Sequence, residues 1–276
     1  MGLSQEKIVI KPPSKFINLS FREIYDYKDL LYFLVWRDIK VRYKQTALGV
    51  AWVVLQPVIS MIIFTIIFGK IARLPSEGIP YAVFTYSALL PWQLFAYSLA
   101  QSSQSLVANE KLITKIYFPR IIIPMAPIFA GLIDFLISFA VFIAIMVFYG
   151  ITPGFALIHL PVFILLVVLT SLGVGLWFTA LNVRFRDVRY TVPFLTQVWF
   201  YLTPVAYSAT LIPESWQFVY RLNPMIGAVE GFRWALLNKA APALSVLWVS
   251  ATLSLVLLIS GLFYFQKVEG EFADII

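Results

Sequence analysis

Uncharged runs dominate this chain: Gln45 to Gly69, Gly78 to Asn109, Ile121 to Gly150 broken only by Asp134, Ile151 to Val183, Tyr190 to Pro213, and Ala240 to Gln266. Each reaches the ~20 residues that a helix needs to cross a bilayer. Hydrocarbon offers no partner to a peptide group, so lipid-exposed segments of this length are helices, and the alternation of a membrane β-barrel is absent. The pattern predicts an all-α polytopic membrane protein with six transmembrane helices.

Two further segments have helical periodicity with charges mixed in. Between Phe21 and Lys44, Leu30, Leu31, Leu34, Val35 and Ile39 recur at helical spacing while Arg22, Asp26, Asp29, Arg37 and Lys40 fill other positions. This predicts an amphipathic helix along the membrane surface, with a possible Asp38–Arg42 pair at i, i+4. The segment from Trp216 to Leu237 is apolar but holds Arg221, Glu230 and Arg233, and Pro224 divides it. A central Arg costs ~2.5–3.5 kcal/mol on insertion. It reads as one or two amphipathic or re-entrant helices on the outer face, packed against the end of span five, or as an ordinary outer loop. The predicted division is therefore 1–46 with the interface helix, 47–266 as the transmembrane domain with an outer gate segment at 212–239, and 267–276 as a tail.

Composition agrees with this class: 61% of residues are hydrophobic and 13% charged. Of the 21 Lys and Arg residues, only Lys70, Arg73, Arg221, Arg233 and Lys239 fall on one side of the predicted topology. The remaining 16 fall on the other, which places that side, with both termini, in the cytoplasm. The net charge of +7 thus reflects orientation and not a nucleic-acid partner. No cleavable signal is expected, because Lys11, Pro12 and Pro13 occupy the place of an apolar core. The chain has no cysteine and a single histidine, His159, so no metal site is expected.

Little of the remaining chemistry is catalytic. No G-x-x-x-x-G-K-[ST] phosphate loop occurs, the nearest fragment being Gly69-Lys70, and Asp134 and Asp187 are isolated rather than paired for Mg²⁺. Asp134 near the middle of span three is either a functional intramembrane carboxylate or the acceptor of an interhelical hydrogen bond, and the six runs offer no cation to match it. Aromatics make up 17% of the chain, with Trp92, Phe95 and Tyr97 in span two and Phe194, Trp199, Phe200 and Tyr201 in span five. Such rings suit either an interfacial belt or a conduit for sugar rings. Pro57, Pro91, Pro193 and Pro204 break spans one, two and five, which become candidates for lining a pathway or for simple packing kinks. Ala126 with Ala130 and Ser171 with Gly175 read as close helix contacts.

The stretch Trp36-Arg37-Asp38-Ile39-Lys40-Val41-Arg42-Tyr43-Lys44-Gln45-Thr46-Ala47-Leu48-Gly49, with Trp52 and Pro57, resembles the opening of permease subunits of polysaccharide-exporting ABC transporters. The similarity continues in Leu181 to Val188, in Trp199-Phe200-Tyr201-Leu202-Thr203-Pro204-Val205, and in Leu222-Asn223-Pro224 with Phe232-Arg233. The chain looks most like the O-antigen exporters. The resemblance implies a homodimer in the bacterial inner membrane, joined to two copies of an ATP-binding subunit that holds ATP and Mg²⁺, with no cofactor in this chain. It implies export of a lipid-diphosphate-linked glycan. Arg37, Lys40, Arg42 and Lys44 would form the ledge that admits the diphosphate. Trp52, Trp92, Phe95, Tyr97, Phe194, Trp199, Phe200 and Tyr201 would line the channel. Asn109, Glu110, Lys111 and Lys115 would couple to the ATPase, and Trp216, Glu230 and Arg233 would gate the outer side. The rival readings are a drug or small-lipid exporter, a membrane-embedded enzyme acting on lipid-linked sugars, and a membrane scaffold.

Overall fold

The computed structural model describes residues 21–44 and 49–272. The predicted segment 1–20, the start of span one at 45–48 and the tail end 273–276 lie outside the described residues. Among those described there are helices and no strands. In chain order they are α1 Phe21–Asp26, α2 Lys28–Lys44, α3 Val50–Phe64 continued by a π-helix Thr65–Ile71, α4 Tyr81–Ala108 and α5 Glu110–Ile113. Then follow α6 Ile122–Phe148, a 3₁₀ turn Phe155–His159, α7 Leu160–Arg184, α8 Val188–Tyr201, α9 Gln217–Arg221, α10 Pro224–Leu237 and α11 Leu244–Glu269. The protein is a polytopic all-α membrane protein.

Among the described residues four segments are long and apolar enough to cross a bilayer: Ala51–Ile71, Ile122–Phe148, Phe155–Arg184 and Leu244–Glu269. They correspond to predicted spans one, three, four and six. The other two predicted spans differ from these in instructive ways. Helix α4 has 28 residues and no charge, but hydroxyl and amide side chains from Thr85 to Ser105 dilute its hydropathy. Helix α8 stops at 14 residues, about 21 Å at 1.5 Å per residue, short of the ~30 Å core. Predicted span five was to continue to Pro213. Instead the backbone leaves the helix after Tyr201 and turns through buried Thr203, Pro204, Val205 and Ala206.

Packing divides the molecule into two ends. A large apolar core joins α4, α6, α7, α8 and α10 through Phe95, Phe135, Phe142, Val167, Val229 and Phe232. A second one, around Leu34, Leu106, Phe118, Leu176, Phe265 and Phe272, seats α2 and the segment after α5 against the ends of α4, α7 and α11. Backbone approaches backbone where α7 meets α11: a Cβ on Gly261 would lie 2.4 Å from the Gly173 carbonyl. That contact needs glycine on both sides. Of the predicted small pairs, Gly175 instead faces Ser102 on α4.

Helix α10 is neither an ordinary outer loop nor a helix lying on the surface. It is sunk between α4, α7 and α11, with twelve of its residues buried, among them Met225, Val229 and Phe232. The reason is its glycines. A Cβ on Gly231 would fall within 2.2 Å of the Phe163 ring, and one on Gly227 within 2.5 Å of Ser250 Oγ. The break at Pro224 stands where the sequence placed it, with Asn223 capping α10 by accepting from the Met225 amide at 3.0 Å.

Candidate functional site

Proline at position 57 has no amide hydrogen, so the carbonyl of Val53 one turn earlier loses its helical donor. Ser138 Oγ on α6 supplies one at 3.3 Å, tying α3 to α6 beside the proline. Elsewhere α3 is little covered by the rest of the chain, and its Leu55, Ile59, Ile62, Ile63 and Ile66 are exposed. Between α3 and the wall formed by α4, α6 and α8 lies a cavity of about 360 Å³. Its polar lining comes from Gln56, Ser60, Gln93, Tyr97, Asp134 and Ser138, and its rings are Phe64, Trp92, Phe135 and Phe200.

Three of these rings, Phe64, Trp92 and Phe200, belong to one cluster of tilted and edge-on contacts that includes Phe95 and Trp199. Trp92 meets Phe95 and Phe200 at centroid distances of 5.5 and 5.4 Å, and Phe95 meets Trp199 at 4.8 Å. Trp92 and Phe95 are buried, Tyr97, Trp199 and Phe200 half-buried, and Trp52, Phe194 and Tyr201 exposed on the subunit surface. The eight residues proposed for a channel wall thus occupy two settings, a cluster bordering the cavity and an outward face.

Two expectations about charge are corrected at the α2 end. Asp38 does not pair with Arg42; its carboxylate accepts from Arg37 Nη2 at 2.8 Å, because Arg42 points elsewhere. Nor does Asp134 lack a cation. Arg42 Nη1 and the Tyr43 hydroxyl donate to its two carboxylate oxygens. The uncharged runs could not show this, since the cation comes from the interface helix and not from a span. The Arg42 guanidinium also lies 4.1 Å from the Tyr97 ring centroid. Burial lowers its pKa, with the Tyr43 and Asp38 charges working the other way, and burial raises the Tyr43 phenol.

The other basic residues of α2 divide likewise. Arg37 Nη1 donates to Asn109 Oδ1 at 2.7 Å, and Asn109 in turn donates to the Ser105 carbonyl at 2.8 Å. Lys40 and Lys44 are exposed, with Lys40 5.3 Å from the Trp36 ring centroid. The outward face of α2 also carries Tyr32, Phe33, Trp36 and Val41, so it is more aromatic than the charged face the sequence implied. Glu110, Lys111 and Lys115 project into the open at the α4–α5 turn.

At the α10 end the turn after α8 is held by side chains that sequence reasoning did not assign to it. Trp199 Nε1 donates to Asn223 Oδ1 at 2.8 Å, and Asn223 Nδ2 donates to Thr203 Oγ1 at 2.9 Å and the Leu202 carbonyl at 3.2 Å. Arg233, buried, donates to the carbonyls of Val205 at 3.1 Å and Tyr207 at 3.3 Å while lying 3.7 Å from the Phe84 ring centroid. The Tyr81 hydroxyl donates to the Ala206 carbonyl. Non-helical backbone inside a membrane protein is tolerated where protein satisfies it, and here every carbonyl from Leu202 to Tyr207 named above has a donor. Glu230 is half-buried beside Arg233 in a smaller cavity with Glu77 and Lys239, and Trp216 is exposed. Tyr81 and Asn223 had a signal: a polar ring next to Pro80, and Asn before Pro at a helix start.

Three of the four stretches that carry the family resemblance therefore meet in this knot or in the α2 contacts. The ABC-2 type transporter family model matches residues 29–237. The chain belongs to that family. It is 32% identical over 251 residues to an O-antigen export system permease protein of Klebsiella pneumoniae, covering 90% of this chain and 95% of the relative. A protein of the same description from Myxococcus xanthus is 29% identical over 255 residues, 92% of this chain and 97% of its own. The polysialic acid transport protein of Escherichia coli is 26% identical over 206 residues, 73% and 78% of the two chains.

Proposed function

We propose that this ABC-2 family member is the channel-forming permease subunit of an ATP-driven exporter. Its cargo is a lipid-diphosphate-linked polysaccharide of O-antigen type, moved across the bacterial inner membrane. The observation that carries this reading is near-full-length similarity, at 32% identity, to an O-antigen export permease. The α2 end faces the cytoplasm together with both termini. Two copies of the chain associate, each with an ATP-binding subunit that docks on the turn bearing Asn109, Glu110, Lys111 and Lys115 and supplies ATP and Mg²⁺.

Two features of the geometry support a conduit. The cavity of about 360 Å³ brings amides, hydroxyls and ring faces together in the middle of apolar helices, a mixture that suits the two sides of a sugar ring. Helix α3, which closes that cavity, is the least covered of the apolar spans and is free to move or to meet a second copy. On α2 the exposed Lys40 and Lys44 stand where anionic headgroups lie, whereas Arg37 and Arg42 are engaged within the protein. Headgroup recognition accordingly falls to the two lysines.

Reconstitution of the chain with its ATP-binding partner in vesicles tests the reading. Lipid-linked glycan should become protected in the lumen, or exposed, only when ATP is hydrolysed. Movement by this chain alone without ATP, or glycosyl transfer or diphosphate cleavage by the purified chain, overturns it.

A further inference from the structure

Helix α2 is gripped at two points that belong to different parts of the protein. At one, Arg37 donates to Asn109 Oδ1 at 2.7 Å, and Asn109 is the residue at which α4 ends and α5 begins. At the other, five residues on and about 7.5 Å along the helix axis, Arg42 and Tyr43 hold Asp134. Asp134 is itself part of the cavity wall. About one turn before the first grip, buried Leu34 seats the helix in the apolar cluster with Leu106 and Phe118. Both polar contacts are shielded in part from water, where ionic and charge-assisted bonds hold one geometry instead of many.

We infer that α2 is a lever that carries displacement of the α4–α5 junction to the cavity wall, with Arg37–Asn109 as its input and Arg42–Asp134 as its output. A helix of 17 residues transmits such a displacement as a body, and the two polar contacts fix where it is delivered. On this account Arg37, Arg42 and Tyr43 are positioning residues that act through Asp134, the one member of the set that lines the cavity. The inference rests on the proposed function, in which the ATP-binding subunit pushes on the α4–α5 turn.

The absence of cysteine makes the test direct. Ser60 lines the cavity and is half-buried, so S60C reports access to it. The full complex, with S60C as its permease, is reconstituted in vesicles and treated with a small charged thiol reagent, nucleotide-free and then trapped with ATP and vanadate. The labelling rate should differ between the two states by about fivefold, the low end of coupling between distant sites. Adding Arg37→Gln or Asp134→Asn should collapse that difference to under about twofold while the complex still co-purifies, whereas Asn109→Asp, which keeps an acceptor opposite Arg37, should preserve it. An undiminished response in both R37Q and D134N overturns the lever. So does the lack of any response with S60C alone; ATP-dependent glycan transport in the same vesicles then shows that the proposed function survives, and its absence shows that both fall.

Discussion

A carboxylate in a helix that crosses lipid needs partners, and Asp134 takes both of its own from α2. Removing one member of such a pair is costly because the other stays in the low-dielectric site. Asp134→Ala should therefore lower stability by about 3 kcal/mol, the small end of the range for buried pairs, since both side chains keep some exposure. The double change with Arg42→Ala should cost less than Asp134→Ala alone. Thermal unfolding followed by intrinsic tryptophan fluorescence would measure the two. Asn223 is a second residue with several bonds on one side chain: it caps α10 and bridges Trp199 and Thr203. Its replacement by Ala forfeits a cap and leaves the Trp199 indole N–H unpaired, an expected loss of about 2 kcal/mol. A smaller shift in the same unfolding measurement would show that water replaces it.

At the scale of elements, the sequence was most legible where apolar runs were long and uninterrupted. Spans three and six appear as α6 and α11 within about four residues of the predicted limits, and span four as α7, which ends at Arg184 as expected but begins only at Leu160, after the 3₁₀ turn Phe155–His159. Span five was not, because Tyr190 to Pro213 contains no charge to reveal that the helix ends at Tyr201. What ends it there is tertiary: Asn223, Arg233 and Tyr81 supply donors to the backbone that follows, and those residues lie 21 or more positions later in the chain or precede it by over 100. The site was legible in kind but not in connection. Asp134 stood out as an unmatched intramembrane acid, yet its partner lies 92 residues upstream in a segment read as a surface helix. The proline in α3 is the reverse case, since Pro57 alone dictates that the Val53 carbonyl must find an outside donor. Ser138→Ala should cost about 1–2 kcal/mol by stranding that carbonyl, and should cost little in a Pro57→Ala background, where the helix regains its own amide donor. A double-mutant cycle on unfolding free energies checks this; additive losses would mean that the Ser138 bond is incidental.

For the whole molecule, orientation decides which surface meets the ATP-binding subunit and which meets the far side. The Lys and Arg residues that the sequence reading assigns to the cytoplasm gather, among the described residues, at one end. Arg22, Lys28, Arg37, Lys40, Arg42, Lys44, Lys111, Lys115, Arg120, Arg184, Arg186, Arg189 and Lys267 belong to the α2 end, with its own apolar core. Several of them also stitch that end together. Arg120 donates to the Glu269 carbonyl, and Arg184 pairs with Glu271 at 2.5 Å, so the ends of α7 and α11 and the start of α6 meet. Lys and Arg stay on the cytoplasmic side of short loops because moving them across the membrane during insertion is disfavoured. In intact cells an impermeant maleimide should therefore label Glu214→Cys, on the exposed turn before α9, and leave Lys111→Cys untouched until the membrane is opened. The reverse pattern would turn the molecule over. It would put the α4–α5 turn out of reach of any cytoplasmic ATPase and set Lys40 and Lys44 against the wrong leaflet, so the result bears on the transport mechanism as a whole and not on topology alone.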